Sequence, residues 1–170
     1  MEDQNAGKKV EFEYIGTIHT PYKEKHGMPI QAASDQATGT KGIITVFPAW
    51  RAGLKDLGGF SHAHVLYHFH LSSKCHLQVT PFLDSTPRGI FSIRGPCRPN
   101  AIGLSVLGIE KVDEKRGIIE VLDVDMVDGT PLLDIKPFVP HFDHRDVKAI
   151  GWLEDKVQHL PTVHSDDRMD

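Results

Sequence analysis

The sequence has very little cysteine, no long apolar run and no apolar segment at its start. Its 2 cysteines among 170 residues are Cys75 and Cys97, which form no CxxC pair. This usage is typical of a reducing compartment and argues against a disulfide-stapled fold. The longest apolar stretch, around residues 101–109, falls far short of the ~20 residues of a membrane helix, and the polar first residues predict no signal peptide. We therefore expect a cytoplasmic protein without a membrane partner.

Two nucleotide-binding signatures are also missing. The chain has neither a G-x-G-x-x-G nor a G-x-x-x-x-G-K-[ST] segment. The first marks the dinucleotide-binding turn of a Rossmann fold and the second marks a P-loop. The sequence therefore gives no reason to expect either of these α/β folds.

Charge is unevenly distributed along the chain. The formal net charge is -4, but residues 36–109 contain seven Lys/Arg against two Asp/Glu, whereas residues 110–155 contain twelve Asp/Glu against six Lys/Arg. This asymmetry is compatible with one basic face that binds an anionic partner. It is equally compatible with opposite charges that meet across the fold.

The hydrophobic pattern predicts short strands and few helices. Val10, Phe12 and Tyr14 alternate with glutamates and predict a first strand, which a long loop over 19–41 follows. A short helix is expected to begin at Pro48, and another is expected over residues 145–158. Further strands, including a hairpin at residues 113–116, are expected over 42–47, 62–71, 76–82, 89–94, 102–112, 117–127 and 132–140.

This pattern predicts a mainly β protein, a single small barrel of short strands with one or two short helices, although a sandwich has a similar signature. We expect one domain over residues 9–158. The termini, residues 1–8 and 159–170, are polar and are expected to be disordered.

Four histidines stand at even positions in "SHAHVLYHFHLS": His62, His64, His68 and His70. Even positions of a strand share one face, so the pattern could indicate a metal site. No glutamate follows until Glu110, and histidines in line along one strand cannot close a metal shell by themselves. No structural metal is expected, which leaves structural histidines on a half-buried face or one or two histidines in a ligand pocket.

The most specific segment is "GIFSIRGPCRPNAIGLSVLGI", residues 89–109. Arg94 and Arg98 flank a Gly-Pro turn and could form a rigid anion clamp, with Asn100 as a further donor and acceptor. Gly103 permits a ligand to approach the backbone. The alternative is a polar turn with solvated arginines.

This segment resembles the R-S-P-x-R-P-N-P-I-G-x-S signature of the TsaA-like, or TrmO (YaeB), family of S-adenosylmethionine-dependent tRNA methyltransferases. Three other blocks resemble the family in the same order: "IGTIHTPYKEKHGMPIQ" (15–31), "LGGFSHAHVLYHFH" (57–70) and "DVDMVDGTPLLDIKPFVPHFD" (123–143). The chain departs from the signature at Gly95 and Ala101.

The resemblance implies a homodimeric non-Rossmann β-barrel methyltransferase with S-adenosyl-L-methionine as cofactor and tRNA as partner. It implies methylation of N6 of threonylcarbamoyladenosine next to the anticodon. Methyl transfer to a small molecule or another RNA is an alternative, as is a barrel that binds cofactor or RNA without catalysis.

Site residues follow from the same resemblance. Arg94 suits the methionyl carboxylate of the cofactor, and Asp125 or Gln31 suits its ribose. Arg98 and Asn100 are assigned to the substrate. The catalytic base is not determined, and its candidates are Asp134, Lys136 and Tyr22, with Lys23 beside it. The full set expected at the cofactor is Ile30, Gln31, Ala32, His70, Leu71, Arg94, Leu104, Leu122, Asp123, Val124 and Asp125.

Overall fold

The protein is a closed antiparallel β-barrel, as the sequence predicts. The computed structural model describes residues 5–32, 37–163 and 165–166, with the backbone alone for residues 160–162. The barrel strands are β1 (Gly16–His19), β2 (Lys41–Val46), β3 (His62–His68), β6 (Ile102–Asp113), β7 (Ile118–Leu122) and β8 (Thr130–Pro137). They pair in the order β1-β2-β7-β6-β3-β8, and β8 returns to β1.

The barrel interior is filled by alternate apolar side chains. Ile18, Ile44, Leu107, Ile119 and Leu132 each expose no more than 1% of their surface. Because neighbouring residues of a strand point to opposite faces, this alternation fixes the register of the strands. On β3 the odd positions face the core, and the histidines at even positions lie on the outer face.

An irregular layer is attached to one side of the barrel. A two-stranded sheet joins β4 (Gln78–Val79) to β5 (Arg88–Gly89), and a 3-10 helix follows over Ile90–Ser92. Val79, Ile90 and Cys97 form a small second core in this layer. We call residues 76–98 the capping layer.

The helices are few and short. A 3-10 helix covers Pro48–Leu54 and another Leu57–Gly59, which agrees with the predicted start at Pro48. The α-helix α1 spans Pro140–Asp143, and 3-10 helices cover Gly151–Leu153 and Val157–Thr162. None of the helices in these described ranges is long and apolar enough to cross a membrane.

Several predicted elements differ from the structure. The predicted strand at residues 10–14 is wrong, because strand pairing begins only at Gly16 and Val10 is 71% exposed. The segments 76–82 and 89–94 are mostly irregular rather than strands. The predicted helix over 145–158 is replaced by 3-10 turns, in a segment with no buried apolar stripe to stabilise an α-helix.

The end of β7 is set by backbone conformation. The apolar pattern predicts a strand as far as Val127, but pairing stops at Leu122. Asp123 follows with a φ of 67°, in the left-handed region that interrupts a strand. Disorder of the two ends, residues 1–8 and 159–170, stays a prediction. Residues 1–4, 164 and 167–170 of these ends lie outside the described residues.

Candidate functional site

A cavity of about 620 Å³ lies between the barrel and the capping layer. Its barrel side is formed by the ends of β3 and β6 and by the loop after β7, which carries Asp125. The capping layer contributes residues 81–83, residues 92–96 and Arg98, and the opening loop contributes residues 28–31. All four family-like blocks therefore contribute residues to the cavity, although they are far apart in the sequence.

A chain of hydroxyl groups leads to Asp125. Ser105 on β6 donates to Asp125 Oδ1 at 2.7 Å, and the hydroxyl of Tyr67 lies 3.2 Å from the same serine oxygen. A serine hydroxyl has one hydrogen to donate. Since that hydrogen goes to Asp125, Tyr67 must donate to Ser105.

Tyr67 is fixed by close packing. Its side chain is buried, and its ring meets Phe69 edge-on at 5.3 Å between ring centroids. Gly103 opposes it across the β3–β6 pair, and a Cβ at Gly103 would lie 2.1 Å from Tyr67 Cε2. Only glycine at this position leaves room for the tyrosine ring.

Asp125 is a poorly solvated acid at the cavity wall. Burial is the main cause that raises its pKa from the ordinary 3.8 to about 6. The hydrogen bond from Ser105, the positive charge of Arg94 and the backbone N–H of Ala32 act in the opposite direction without cancelling the effect of burial. At neutral pH this carboxyl group is therefore ionised, and it carries a desolvation cost.

The two arginines of the clamp segment have different surroundings. Arg94 is exposed to the cavity and donates from Nη2 to the Leu104 carbonyl at 2.8 Å. Arg98 directs Nη1 at three backbone carbonyls, those of Ile90, Ile93 and Gly95, at 3.4, 2.8 and 3.3 Å. Arg98 thus ties together the loop that presents Arg94.

The capping layer is held by a second buried carboxylate, that of Asp84. Its Oδ2 accepts from Arg88 Nη2 at 2.7 Å, and its Oδ1 accepts from Lys156 Nζ at 3.1 Å and from the backbone N–H of Ser85. The side chain is only 4% exposed. These donors, Arg88 above all, hold the pKa of Asp84 far below its usual range.

The C-terminal segment lies against the same layer. Trp152 donates its indole N–H to the Ser92 carbonyl at 2.8 Å, and Arg88 lies over its ring at 5.7 Å. Further on, Ser165 exchanges backbone hydrogen bonds with Gly27 and Met28 of the opening loop, at 3.0 and 3.1 Å. This part of the tail therefore borders the cavity.

The cavity brings together much of the predicted cofactor set. The predicted cofactor residues that line it are Ile30, Gln31, His70, Leu71, Arg94, Leu104 and Asp125, and Arg98, predicted to bind the substrate, lines it as well. Ala32 reaches Asp125 through its backbone N–H. Four others lie elsewhere: Leu122 ends β7, Asp123 accepts from Gly39 N–H at 2.7 Å, Val124 is fully buried and Asn100 is exposed.

The predicted candidates for the base do not line the cavity. Asp134 and Lys136 form an ion pair at 2.7 Å on β8, where both are at least 43% exposed. The Tyr22 hydroxyl lies 3.4 Å from Thr40 Oγ1, and Lys23 pairs with Asp128 at 2.6 Å. Within the described chain these groups belong to other surfaces.

The outward histidines have partners of their own. His64 Nε2 lies 3.2 Å from Asp143 Oδ1, and His68 Nδ1 lies 2.7 Å from the Tyr14 hydroxyl. His62 and His64 both contact the ring of Phe138. No group of three or more His, Cys, Asp or Glu side chains in the described ranges could hold a metal ion. His70, beyond the end of β3, is the member of the series that lines the cavity.

Sequence reasoning missed four residues that build this site: Tyr67, Ser105, Asp84 and Trp152. Ser105 and Tyr67 have a detectable signal, since both stand at inward positions of predicted strands and a hydroxyl at such a position needs a partner. Asp84 has a weak one, Arg88 four residues on, and Trp152 has none. Their other partners, Lys156 and Ser92, are more than 55 residues distant in the chain.

A small antiparallel barrel with a cavity at its rim, lined by an arginine and a carboxylate, defines the class of this protein. Residues 17–144 match the model of the tRNA-methyltransferase O N-terminal domain. The chain belongs to this TrmO family. The crystal structure of TrmO from Pseudomonas aeruginosa has the same fold, with a TM-score of 0.70 and 30% identity, covering 85% of this chain and 63% of that one.

Curated relatives fall into two groups. A probable S-adenosyl-L-methionine-binding protein of Pyrococcus abyssi is 46% identical over 91% of this chain and 82% of its own length. The mouse tRNA (adenine(37)-N6)-methyltransferase is 38% identical over 77% of this chain but only 31% of its own length. The chain thus spans less than two thirds of the Pseudomonas protein and about a third of the mouse enzyme.

Proposed function

We propose that the protein is an S-adenosyl-L-methionine-dependent tRNA methyltransferase that acts on N6 of threonylcarbamoyladenosine beside the anticodon. The observation that carries the proposal is the cavity, in which Arg94 and Asp125 come together from two family-like blocks. The names of the archaeal and mammalian relatives support the cofactor and the reaction respectively. A homodimer and a cytoplasmic location remain part of the proposal.

The residues present suit this cofactor. The cavity volume of about 620 Å³ falls within the roughly 300–1,000 Å³ typical of small-molecule sites. Arg94 can pair with the methionyl carboxylate, Gln31 can bind ribose hydroxyls, and Leu104 can cover the adenine. Asp125, at the cavity wall, could supply the negative charge that favours a sulfonium. When bound, the cofactor would supply an electrophilic methyl group.

The chain's own part in the reaction is positioning. The transfer is an in-line displacement, so alignment of donor and acceptor accounts for much of the rate. The barrel supplies a fixed wall through β3 and β6, and Arg98 secures the loop that presents Arg94. The basic stretch 36–109 would face the tRNA, so we expect methylation to fall steeply as salt is added.

The direct test is methylation of bulk tRNA with labelled S-adenosylmethionine, followed by digestion to nucleosides. The proposal predicts label in methylated threonylcarbamoyladenosine. Label in another nucleoside, or transfer only to a small molecule, would show that the proposed substrate is wrong while methyl transfer remains the activity. Binding of S-adenosylhomocysteine without any transfer would favour a non-catalytic barrel.

Variants of the two arginines separate their roles. Arg94→Ala should weaken S-adenosylhomocysteine binding about tenfold or more, because a charge-assisted hydrogen bond is lost. Arg98→Ala tests the substrate assignment against the clamp seen in the fold. A methylation defect with S-adenosylhomocysteine affinity within threefold supports contact with the substrate, whereas a parallel loss of affinity assigns Arg98 to holding Arg94. Calorimetry measures both affinities.

A further inference from the structure

The cavity contains few groups that could accept a proton from the substrate. Among described residues, the carboxylates that line it are Asp125 and Asp166, and the imidazole is that of His70. Asp166 belongs to the terminal segment, whereas Asp125 is set in the barrel rim. The candidates chosen from the sequence, Asp134 and Lys136, lie on the exposed face of β8.

We propose that Asp125 accepts the proton that the substrate nitrogen loses during methyl transfer, and that Ser105 and Tyr67 hold its carboxylate for this task. The inference rests on the proposed function and adds the identity of the base. Asp125 is then a catalytic residue, and Ser105 and Tyr67 are positioning residues.

Hydrogen bonding leaves Asp125 room for this role. A carboxylate has about four acceptor positions. The Ser105 hydroxyl and the N–H of Ala32 fill two of them. An acceptor position therefore remains for a group in the cavity, and the buried Tyr67–Ser105 chain keeps the carboxylate from rotating away.

The step balances in atoms and charge. The bond from N6 to the methyl carbon forms as the bond from sulfur to that carbon breaks, and the electron pair of the broken bond remains on sulfur. The N6 proton passes to Asp125 and from there to solvent. A sulfonium cation and a carboxylate anion are thus both neutralised, and a poorly solvated cavity favours the loss of two opposite charges over the creation of any.

The groups that face Asp125 determine the pH dependence. Among the described residues they are Arg94 from the capping layer, Tyr67 from β3 and Ser105 from β6. The other ionisable side chains that line the cavity are Lys25, His70, Arg98 and Asp166. A base with a pKa of about 6 is close to the working pH, where general-base catalysis is most effective. Activity should therefore rise through pH 6 and level off above it.

The test combines two variants with a binding measurement. Asp125→Asn keeps the shape of the side chain but removes the base, so single-turnover methylation of tRNA should fall at least about 100-fold. Its affinity for S-adenosylhomocysteine, measured by calorimetry, should stay within threefold of the parent protein. Ser105→Ala removes a donor to the ionised carboxylate, so its half-maximal rate should move to higher pH by about half a unit or more.

Tyr67→Phe is the milder companion variant, because it keeps the ring and removes only the hydroxyl that acts through Ser105. It should shift the profile in the same direction by less. Retained methylation in Asp125→Asn overturns the inference, and so does a loss of affinity equal to the loss of rate, or an unshifted profile in Ser105→Ala. Absence of tRNA methylation by the parent protein would instead overturn the proposed function.

Discussion

Two carboxylates, Asp84 of the capping layer and Asp125 of the barrel rim, have opposite electrostatics. Asp84 in the capping layer accepts from two cationic side chains and from backbone N–H groups, and its pKa lies far below the usual range. Asp125 in the barrel rim has a serine and an N–H as donors, with Arg94 nearby, and its pKa is raised to about 6.

The difference separates a structural acid from a reactive one. A carboxylate that is fully paired stabilises the fold and has no reason to take up a proton. A carboxylate that is desolvated but incompletely paired costs stability and gains basicity, which is a common condition at catalytic sites. The ion pairs of Asp84 therefore stabilise the capping layer, whereas the barrel rim exposes the carboxylate of Asp125 to the cavity.

The largest expected effect is in the rim. Gly103→Ala would place a Cβ 2.1 Å from the buried ring of Tyr67, and overpacking of this kind costs about 3 kcal/mol. Urea unfolding should show it, together with weaker S-adenosylhomocysteine binding. Gly89→Ala is the control, since nothing lies within 4 Å of its Cβ position, and it should be nearly neutral. Equal effects of the two variants would contradict the packing described for Tyr67.

The capping layer should depend on Asp84. Asp84→Asn removes the charge that pairs with Arg88 and Lys156, so the C-terminal segment should loosen while the barrel persists. The fluorescence of Trp152, read in a Trp50→Phe background, should shift to the red at pH 7 without a matching loss of strand signal in circular dichroism. In the parent protein the same shift should appear only in acid, because Asp84 stabilises the fold above the unfolded pKa and loses its effect as pH falls through the lowered folded pKa.

The matching change at the rim should have the opposite sign. Ionised Asp125 costs stability, because folding raises its pKa from 3.8 to about 6. Asp125→Asn should therefore stabilise the protein by about 2 kcal/mol at pH 7, since each pKa unit corresponds to 1.36 kcal/mol and partial exposure reduces the total. Below the unfolded pKa the gain should vanish. Destabilisation at pH 7, measured by urea unfolding, would break the contrast with Asp84.

A surface pair provides the smallest effect. Lys41 Nζ contacts both oxygens of Glu110, at 2.9 and 3.0 Å, on an exposed part of the barrel. Glu110→Gln should change the free energy of unfolding by less than about 0.5 kcal/mol, because water and side-chain entropy offset such pairs. A change as large as that of Asp125→Asn would mean that burial does not distinguish these carboxylates.

Local patterns predicted the parts of the fold that depend on neighbours in the chain. Alternation predicted β3 and placed its histidines on one face, and the motif around Arg94 indicated the cavity. Alternation at Val10 and Phe12 failed, because a strand also requires a partner and pairing begins only at Gly16. The Asp84 cluster could not be predicted in full, since Arg88 is four residues away but Lys156 reaches Asp84 across 72 positions of sequence.

The most direct measurement is the affinity of the protein for S-adenosylmethionine and S-adenosylhomocysteine at pH 8 and pH 5. If Asp125 faces the sulfonium, its protonation should weaken S-adenosylmethionine binding about tenfold between these values and affect S-adenosylhomocysteine, which lacks the sulfonium charge, much less. His70→Gln should keep this difference, which excludes the imidazole as its source. Equal pH dependence for the two ligands, or a difference that disappears in His70→Gln, would contradict the role assigned to Asp125.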